Sequence, residues 1–545
     1  MYSLLTQPWL PVRRRSGARQ RIAPWQITDN PEDAIVALDF PRPDFNGSVM
    51  QFLIGLYQVA LAPWPESDWL ERFTTPLAPQ RIREALQPFE QAFLLDGDGC
   101  RFMQDPSAAD AEPKSIGAIL IEAPGQQAIR ENKAFFIKEG FANVLCRSCA
   151  AAALYTMQSN APAGGKGFRT SLRGGGPLST VLHAETLWQS LVLNMLPLDS
   201  TVSMDARLYP WLASIPTSEK QEVIIPADVA PMNEYWSMPR RIFLHFAEGE
   251  SFVCDVCGGS DIARVTQYSE RNYGPNYQSG VWKHPLTPVY ATDDMPRSPV
   301  HASSHCLRYR HWPSYVLPGG SGGTVPAPVV DLFLSTRSRD LRDGNIDTEA
   351  IGLDTFGYDM DKMKARCWYE GRMPVFNLPV EQMEVYRDRV QSMIEVANLI
   401  GDNSLKAVRR ALFGRVESIT KNGAIKWMLP KGNSDDAALP QSVSDAFWQN
   451  TESAFYHHIH DLRDVIANTD EEIALMRAWN DVLARQAVML FDAIVDSADY
   501  SRTNPRNVVL ARKELLGMNR SRKILDLLHI PLEEHATEAQ LITEE

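Results

Sequence analysis

The sequence predicts an α+β protein with two folded parts: a large N-terminal domain of mixed helices and strands, followed by an all-α bundle of four or more helices. The first observation is length, because 545 residues exceed the size at which a single hydrophobic core stops growing. The second is how turn-forming and apolar residues are distributed along the chain. Over residues 1–375 short apolar runs alternate with the turn formers Pro and Gly, whereas over 376–530 apolar residues recur at helical spacing. The last residues, 531–545, are acidic and aperiodic and predict a loose tail.

Short elements are predicted through the N-terminal domain. Each is bounded by turn signals or carries its apolar residues on one face. They are a hairpin that includes Trp9–Val12 and turns at Ser16–Gly17, a helix over 49–61, a short helix over 183–196, and strands at Arg241–Leu244 and Val329–Leu334.

Longer helices are predicted after Pro379. They cover Glu381–Leu399, Leu405–Leu412, 443–465, 471–495 and 505–528. Asn504 followed by Pro505 is typical of a helix start, because Asn caps free backbone N–H groups and Pro fits the first helical position. Helices joined by short links favour an antiparallel bundle.

Charge and cysteine content limit the class of protein. Lys and Arg number 54 against 67 Asp and Glu, so the net charge of −13 excludes a protein that coats nucleic acid through general basicity. A local basic patch stays possible, because binding depends on where charge sits. An odd total of seven cysteines does not indicate a secreted disulfide framework. The sequence shows no signal peptide, and its most apolar run, Phe52–Ala62, is too short to span a bilayer, so a cytoplasmic location without membrane contact is expected.

Two C-x-x-C pairs predict a metal site. They are Cys146 with Cys149 and Cys254 with Cys257, and Gly258 follows the second pair as a tight knuckle requires. Four thiolates suit tetrahedral Zn²⁺ and leave no open coordination position, so a structural zinc that clips together two distant segments is the favoured interpretation. Two unrelated pairs, or a redox dithiol, are the alternatives.

A glycine-rich loop is the second motif. It holds six glycines in the thirteen residues from Gly164 to Gly176, which lets the backbone approach a ligand closely. Its candidate contact residues are Gly164, Gly165, Lys166, Gly167, Arg169 and Arg173. Cations beside an exposed backbone suit a phosphate or a nucleic-acid groove. A Walker loop is excluded because Gly167 stands where Ser or Thr is required, while a plain flexible surface loop stays an open alternative.

Other charged and aromatic stretches are less specific. The segment from Tyr268 to Trp282 interleaves aromatic residues with Arg271 and could line a groove or form a half-buried hairpin. Basic residues of the predicted bundle recur at spacings of three and four, which is typical of a stripe facing DNA, a partner or solvent. The metalloprotease signature H-E-x-x-H is missing from the sequence, which weakens an enzyme interpretation.

Together these motifs resemble one family, the large subunits (CasA) of the type I-E CRISPR Cascade. The resemblance extends over most of the chain. It rests on Leu4-Leu5, Trp9–Arg13, Phe102–Gln104, Leu145–Cys149, Asn160–Pro162, the glycine loop, Ser171–Gly175, Cys254–Gly258 and Gly280–Pro285.

The resemblance implies a fold and a function. The family pairs an irregular mixed N-terminal domain with a C-terminal four-helix bundle and is not enzymatic. It recognises the protospacer-adjacent motif in duplex DNA from the minor groove, promotes duplex opening for guide RNA, and recruits the helicase–nuclease. The implied partners are target double-stranded DNA, guide RNA, and the backbone, small and 5′-handle-binding subunits of Cascade, with sequence specificity delegated mainly to the guide.

The resemblance also assigns roles to individual residues. Gly164, Gly165, Lys166 and Gly167, with Arg169 beside them, would form the DNA-reading loop. Arg271 aligns with a basic residue that reaches into the groove. A duplex-splitting hairpin aligns with Gly357–Lys362, where Asp361 and Lys362 stand near the tip, and an aromatic that meets guide RNA and the backbone subunit aligns with Phe135. One departure is that Lys362 stands where a family relative has glutamine.

Two other functions stay open from the sequence. A zinc-stabilised nuclease would need a carboxylate cluster for divalent metal, for which the sequence offers no persuasive candidate. A purely architectural subunit of a ribonucleoprotein would use its basic stripes to contact partners instead of DNA.

Overall fold

The structure is a computed structural model of the whole chain. It describes residues 1–134, 137–138, 140–290, 298–303, 308–317, 323–361, 363–376, 378–421, 423–429, 441–466, 468–497 and 504–531. By contacts these fall into two compact units. The first unit is Met1–Leu307 with Ser314–Asn377, and the second unit is Arg308–Pro313 with Leu378–Glu545.

Helices and strands alternate irregularly along the first part of the chain, and helices dominate the last part. The helices are α1 Pro43–Ala60, α2 Trp69–Thr74, α3 Pro79–Leu86, α4 Gln126–Arg130, α5 Arg147–Asn160, α6 Leu187–Leu193, α7 Trp312–Val316, α8 Pro328–Leu332, α9 Ser338–Asp343, α10 Val380–Phe413, α11 Gln441–Val465, α12 Thr469–Ser497, α13 Pro505–Met518 and α14 Arg522–Leu527. The strands are β1 Leu10–Arg14, β2 Arg19–Ile22, β3 Ile35–Leu38, β4 Pro113–Ser115, β5 Leu145–Cys146, β6 Ser179–His183, β7 Arg241–Val253, β8 Ser260–Arg271, β9 Val289–Tyr290, β10 Ser298–Pro299, β11 Thr324–Val325, β12 Gly352–Asp361, β13 Lys364–Pro374, β14 Arg415–Ile419 and β15 Ile425–Met428.

The sheets are small and their pairs are antiparallel. In the first unit β2-β1-β3, β10-β9-β11 and β13-β12-β6 form three-stranded sheets, and β4-β8-β5 forms another to which β7 is added beside β8. Two long hairpins, β7–β8 and β12–β13, carry most of the extended structure. The predicted α+β class with a helical C-terminal part is confirmed.

The core of the first unit is built around α1. This helix is buried on nearly all sides, as expected of a helix that is apolar around its circumference. The ring of Phe52 meets five aromatic rings edge-on, at centroid distances of 5.5–5.8 Å: Trp9, Phe93, Phe102, Tyr155 and Trp236. Edge-to-face pairs of this kind stabilise a core beyond the area they bury, so this cluster fixes α1 against α5 and the N-terminal hairpin.

The second unit is a helical bundle in which α10, α11, α12 and α13 pack on one another. Asn504 caps α13 by accepting the backbone N–H of Arg506 at 3.0 Å, as the Asn-Pro pair predicts. The hairpin β14–β15 between α10 and α11 is not among the elements that the sequence predicts. Trp427 of β15 donates to Glu514 of α13 at 2.6 Å, which ties this hairpin to the bundle.

One predicted element is wrong. The run Val329–Leu334 has the pattern of a strand, but it lies in α8 and in the π-helical turn Phe333–Arg337 that continues it. Pro328 occupies the first helical position, and burial of Val329, Val330 and Phe333 on one side outweighs the β preference of branched side chains. The domain limits expected at 375 and 530 remain a proposal. Arg308–Pro313 groups with the helical unit, and nothing in the sequence pattern indicates this.

No helix in the described part of the chain combines the length and the apolar character that crossing a membrane requires.

Candidate metal centre and nucleic-acid interface

Two short backbone motifs bring the four cysteines together. Cys146 caps α5, so it lies at a helix N-terminus where the backbone N–H of Cys149 points at its sulfur from 3.5 Å. Cys254 and Cys257 flank a tight turn in which the N–H of Gly258 donates to the carbonyl of Cys254 at 2.9 Å, and Gly258 has a φ of +67°. Glycine adopts this left-handed conformation without strain, which explains the residue after the second pair.

The four sulfurs have the geometry of a tetrahedral metal site. Their Sγ atoms all lie within 4.8 Å of one another, and those of Cys146 and Cys257 are 3.6 Å apart. Sulfurs bound to one Zn²⁺ at ~2.3 Å are separated by roughly 3.8 Å, so the observed spacing fits zinc. The predicted grouping of Cys146, Cys149, Cys254 and Cys257 is therefore confirmed as a cluster that could hold a metal ion.

Electrostatics also favour a cation in this cluster. Hydrogen bonds from Cys146 and Cys149, and then Cys254, hold the pKa of Cys257 far below its ordinary value. Hydrogen bonding to Cys146 and the other two thiols, together with burial, raises the pKa of Cys149. Because four thiolates so close would repel one another, a bound divalent cation would favour their full deprotonation.

Arg21 completes the cluster from a distant strand. Its guanidinium Nη2 lies 3.1 Å from the Sγ of Cys257 and only 2.6 Å from where a Cβ on Gly259 would stand, so a side chain at 259 would displace the guanidinium from this position. Partial burial lowers the pKa of Arg21, but attraction to the Cys146 and Cys257 sulfurs outweighs this and raises it overall. A zinc ion with four thiolates carries two net negative charges, and Arg21 offsets one of them.

We expect Arg21→Met to release zinc faster, by about tenfold or more, because outer-shell partners of metal ligands typically contribute about 10–100-fold to metal affinity. The rate of zinc transfer to a chromophoric chelator measures this. Arg19→Met is the matched control, since Arg19 lies on the same strand but pairs with Asp39 at 3.0 Å. Equal rates for both variants and the parent would show that Arg21 does not stabilise the bound metal.

The glycine loop is anchored at both flanks and exposed at its centre. Phe168 lies between two cations, with the guanidinium carbon of Arg240 4.9 Å and the ammonium of Lys114 5.4 Å from its ring centroid. Gly165 and Lys166 are exposed, and a Cβ on Gly165 would meet nothing within 4 Å. The centre of the loop therefore offers bare backbone to an approaching ligand.

The loop lies against the end of strand β8, where Arg271 stands. Asn272 donates to the carbonyl of Lys166 at 2.9 Å, and the N–H of Tyr273 donates to the carbonyl of Gly167 at 2.7 Å. Gly167 has a φ of +82°, and a Cβ there would lie 2.9 Å from the Tyr273 nitrogen, so glycine is required. The structure thus brings Gly165, Lys166 and Arg271 to one edge.

The arginines near this edge differ in what they contact. Arg271 is exposed, and its side chain makes no hydrogen bond or ion pair with another described residue. Arg169 donates to the Ser218 hydroxyl at 2.9 Å, so here it positions the loop, and its DNA contact stays a prediction. The predicted cationic role of Arg173 is wrong. This residue is buried, which lowers its pKa to about 10, and it donates to Gln51, Ser179 and Thr287.

The end of the glycine loop joins the β12–β13 hairpin. Gly176 has a φ of +64°, and a Cβ there would lie 2.2 Å from the carbonyl oxygen of Tyr358, while a Cβ on Gly357 would lie 2.5 Å from that of Pro177. Strand β6 continues from this point and pairs with β12 from Ser179 to His183. The backbone at the end of the glycine loop therefore packs directly against the backbone of the hairpin, with no room for a side chain between them.

Below its tip the hairpin is held by a buried charged cluster. The Tyr358 hydroxyl donates to Asp44 at 2.6 Å and contacts Glu122 at 3.3 Å, and Arg42 binds both carboxylates. Asp361 is exposed at the tip. Lys362, like Phe135, lies outside the described residues, so the roles expected for both remain predictions.

The remaining sequence motifs are mostly structural in the described residues. Tyr268, Tyr277 and Trp282 are buried, which excludes base stacking by these rings in this conformation. On the bundle, Arg410 pairs with Glu514 and Arg512 with Asp492. The N-terminal arginines at 13, 14, 15, 19 and 21 are candidates for nucleic-acid contact or for a solvated hairpin, but the sequence pattern does not connect Arg21 with the cysteines. It also does not identify Arg240 or Lys114, because their partners are far away along the chain.

Comparison with known proteins adds a family and a fold. The family model for CRISPR-associated protein Cse1 matches residues 3–490. The chain is similar to CasA of Thermus thermophilus, with a TM-score of 0.69 at 17% identity over 95% of this chain and 99% of that one. It is also similar to Cse1 of Thermobifida fusca, with a TM-score of 0.68 at 16% identity over 97% and 99%. A chain of a CRISPR RNA-guided surveillance complex matches with a TM-score of 0.62 at 14% identity over 95% and 99%.

Proposed function

This chain belongs to the family of CRISPR-associated protein Cse1, the large subunits of type I-E Cascade, and we propose that it is the subunit that recognises the protospacer-adjacent motif in double-stranded DNA. It reads the motif from the minor groove, promotes duplex opening and R-loop formation, and recruits the helicase–nuclease. It has no catalytic role of its own.

The observation that carries this proposal is the exposed centre of the glycine loop beside Arg271. Gly165 and Lys166 offer backbone and one cation without side-chain bulk, and Arg271 stands on the strand end to which the loop is hydrogen-bonded. The minor groove is narrow and presents a degenerate pattern of acceptors, so a thin backbone edge with one or two cations suits it. Tolerance of several related motifs follows from that degeneracy.

The net charge of −13 supports contact at one place instead of general coating. Guide RNA pairing then supplies most of the sequence specificity, and the protein contributes motif reading and duplex opening. Guide RNA and the backbone, small and 5′-handle-binding subunits are its proposed partners. A related chain occurs in an RNA-guided surveillance complex, which supports this placement. Phe135 is proposed to contact guide RNA and the backbone subunit.

A structural zinc is part of the same proposal. Bound to Cys146, Cys149, Cys254 and Cys257, it would clip α5 to the β7–β8 hairpin and leave no position for a substrate. The loop that the clip brackets in the sequence, residues 164–176, is the proposed DNA-reading element.

The test is duplex binding by the guide-RNA complex assembled with and without this subunit, on targets that carry or lack candidate motifs, at a stated salt concentration. Motif-dependent binding that appears only with the subunit is expected. Equal binding without it would favour an architectural role, and metal-dependent cleavage by the purified chain alone would favour a nuclease.

A further inference from the structure

The exposed centre of the glycine loop is a single tight turn. The N–H of Phe168 donates to the carbonyl of Gly165 at 3.1 Å. Gly167, the third residue of this turn, has a φ of +82°, whereas the backbone of Lys166 is not left-handed. This combination is typical of a type II turn, whose third position favours glycine. Lys166 therefore stands at the corner of the turn, and Phe168 closes it.

The ring of Phe168 contacts two cations. The guanidinium carbon of Arg240 lies 4.9 Å from the ring centroid, and the ammonium of Lys114 lies 5.4 Å from it. The same two cations pair with a single carboxylate, that of Glu270, at 3.3 Å and 2.9 Å. Glu270 neutralises only one of the two positive charges, and the electron-rich face of the ring attracts both.

Burial makes the ring important for Arg240. This residue is 7% exposed, and burial lowers its pKa, which Glu270 offsets only in part. Its Nη2 donates to the carbonyl of Pro162 at 2.6 Å, but among the described residues its Nε–H has no hydrogen-bond partner. A buried cation with an unpartnered N–H is costly, so attraction to the Phe168 ring stabilises it. Arg240 thereby joins the segment before the loop to the residue that closes the turn.

The ring of Phe168 and Arg271 are attached to the same strand end. Glu270 precedes Arg271 at the end of β8, and successive side chains of a strand point to opposite faces. The turn also accepts hydrogen bonds from residues 272–273 through its carbonyls. Two attachments, one through the Phe168 ring and one through these hydrogen bonds, therefore fix the spacing between Lys166 and Arg271.

We infer that Phe168 is a positioning residue whose ring, held by the two cations, sets how strictly the motif is read. This inference rests on the proposed function, in which Gly165, Lys166 and Arg271 contact the minor groove. Successive base pairs are about 3.4 Å apart, so a small shift of the turn relative to Arg271 takes one contact out of hydrogen-bond range. Attraction between a cation and phosphates falls off gradually with distance and tolerates such a shift.

The test compares binding of motif-bearing and motif-free duplexes by the assembled guide-RNA complex. Phe168→Ala is expected to lower the ratio of the two affinities by roughly tenfold, which corresponds to about 1.4 kcal/mol. Affinity for the motif-free duplex should stay within about twofold of the parent. The amide hydrogen of Tyr273, which bonds the turn at Gly167, should exchange faster in the free chain. Phe168→Tyr keeps an electron-rich ring and should keep the parental ratio.

A fluorination series separates the contact with cations from ordinary packing. Mono-, di- and trifluorinated phenylalanine at position 168 keep the shape of the ring but withdraw electron density from its face, so the affinity ratio should fall stepwise. The same series at Phe243 is the matched control. Its ring lies 4.6 Å from the Arg101 guanidinium, and it pairs with Ser269, which places it on the face opposite Glu270. Fluorine at Phe243 should leave the ratio unchanged.

The results distinguish this inference from the proposed function. If Gly165→Leu abolishes motif dependence while Phe168→Ala keeps the parental ratio, only the role of Phe168 is lost. If Phe168→Ala lowers the ratio but fluorine at 168 does not, the ring acts by packing alone and the inference is overturned. If neither Gly165→Leu nor Phe168→Ala changes the ratio, the proposed recognition role of the loop fails as well.

Discussion

Replacing Cys149 with serine is expected to unfold the first unit at physiological temperature. Cys149 is 1% exposed and its sulfur lies within 4.8 Å of three others, so its loss removes a metal ligand from the interior. Structural zinc sites contribute about 10–16 kcal/mol of apparent binding free energy, and this is folding free energy. Because whole domains are stable by only about 5–15 kcal/mol, losing even half of that contribution is decisive.

Elemental analysis and thermal unfolding of the purified chain measure this effect. The parent should contain about one zinc per chain. Cys149→Ser should contain no zinc and should lose its cooperative unfolding transition. Removal of zinc from the parent with a chelator should likewise destabilise the fold. Cys100→Ser is the matched control, because Cys100 is exposed and lies outside the cluster. A zinc-free parent whose four thiols titrate freely would rule out the structural metal.

Gly165→Leu is expected to abolish motif-dependent duplex binding while the fold stays intact. A Cβ at this position meets nothing within 4 Å and the backbone is not left-handed, so an added Cβ causes neither a clash nor backbone strain. It would place a side chain between the loop backbone and the minor groove that we propose this loop contacts. We expect affinity for motif-bearing targets to fall by about two orders of magnitude, as if one or two base-pair contacts of roughly 1–3 kcal/mol each were lost.

Binding assays on the assembled complex, with and without the motif, measure this loss. Gly249→Leu is the matched control, since Gly249 of β7 is likewise exposed, has open space around its Cβ position and has an ordinary φ. Unfolding temperatures of both variants should match the parent. If Gly165→Leu keeps its preference for the motif, the loop does not read DNA and the recognition surface lies elsewhere.

Some parts of this site follow from the sequence because the information is local. The spacing of each C-x-x-C pair places two sulfurs at one turn, and Gly258 marks that turn, so the cluster is predictable. The helices of the second unit are predictable for the same reason, since their apolar faces repeat along the chain.

Other parts depend on contacts that no local pattern encodes. Arg21 reaches Cys257 across 236 positions of sequence. Arg173 looks like a cation of the glycine loop, but its hydrogen-bond partners come from three other segments and bury it. The run Val329–Leu334 has the composition of a strand, and only the tertiary burial of one side makes it helical. Sequence patterns therefore identify the secondary structure or role that a segment favours locally. Tertiary packing determines where the folded protein departs from that preference.

Strand β8 begins three residues after Cys257 and ends at Arg271. At a rise of about 3.4 Å per residue, its two ends are roughly 35–40 Å apart. The strand thus joins the cysteine cluster at one end to the proposed DNA-reading loop at the other. If the cluster holds zinc and the loop reads DNA as proposed, a shortage of zinc would disorder the first end of the strand. Target recognition would then fail without any change in guide RNA or in the residues proposed to contact DNA.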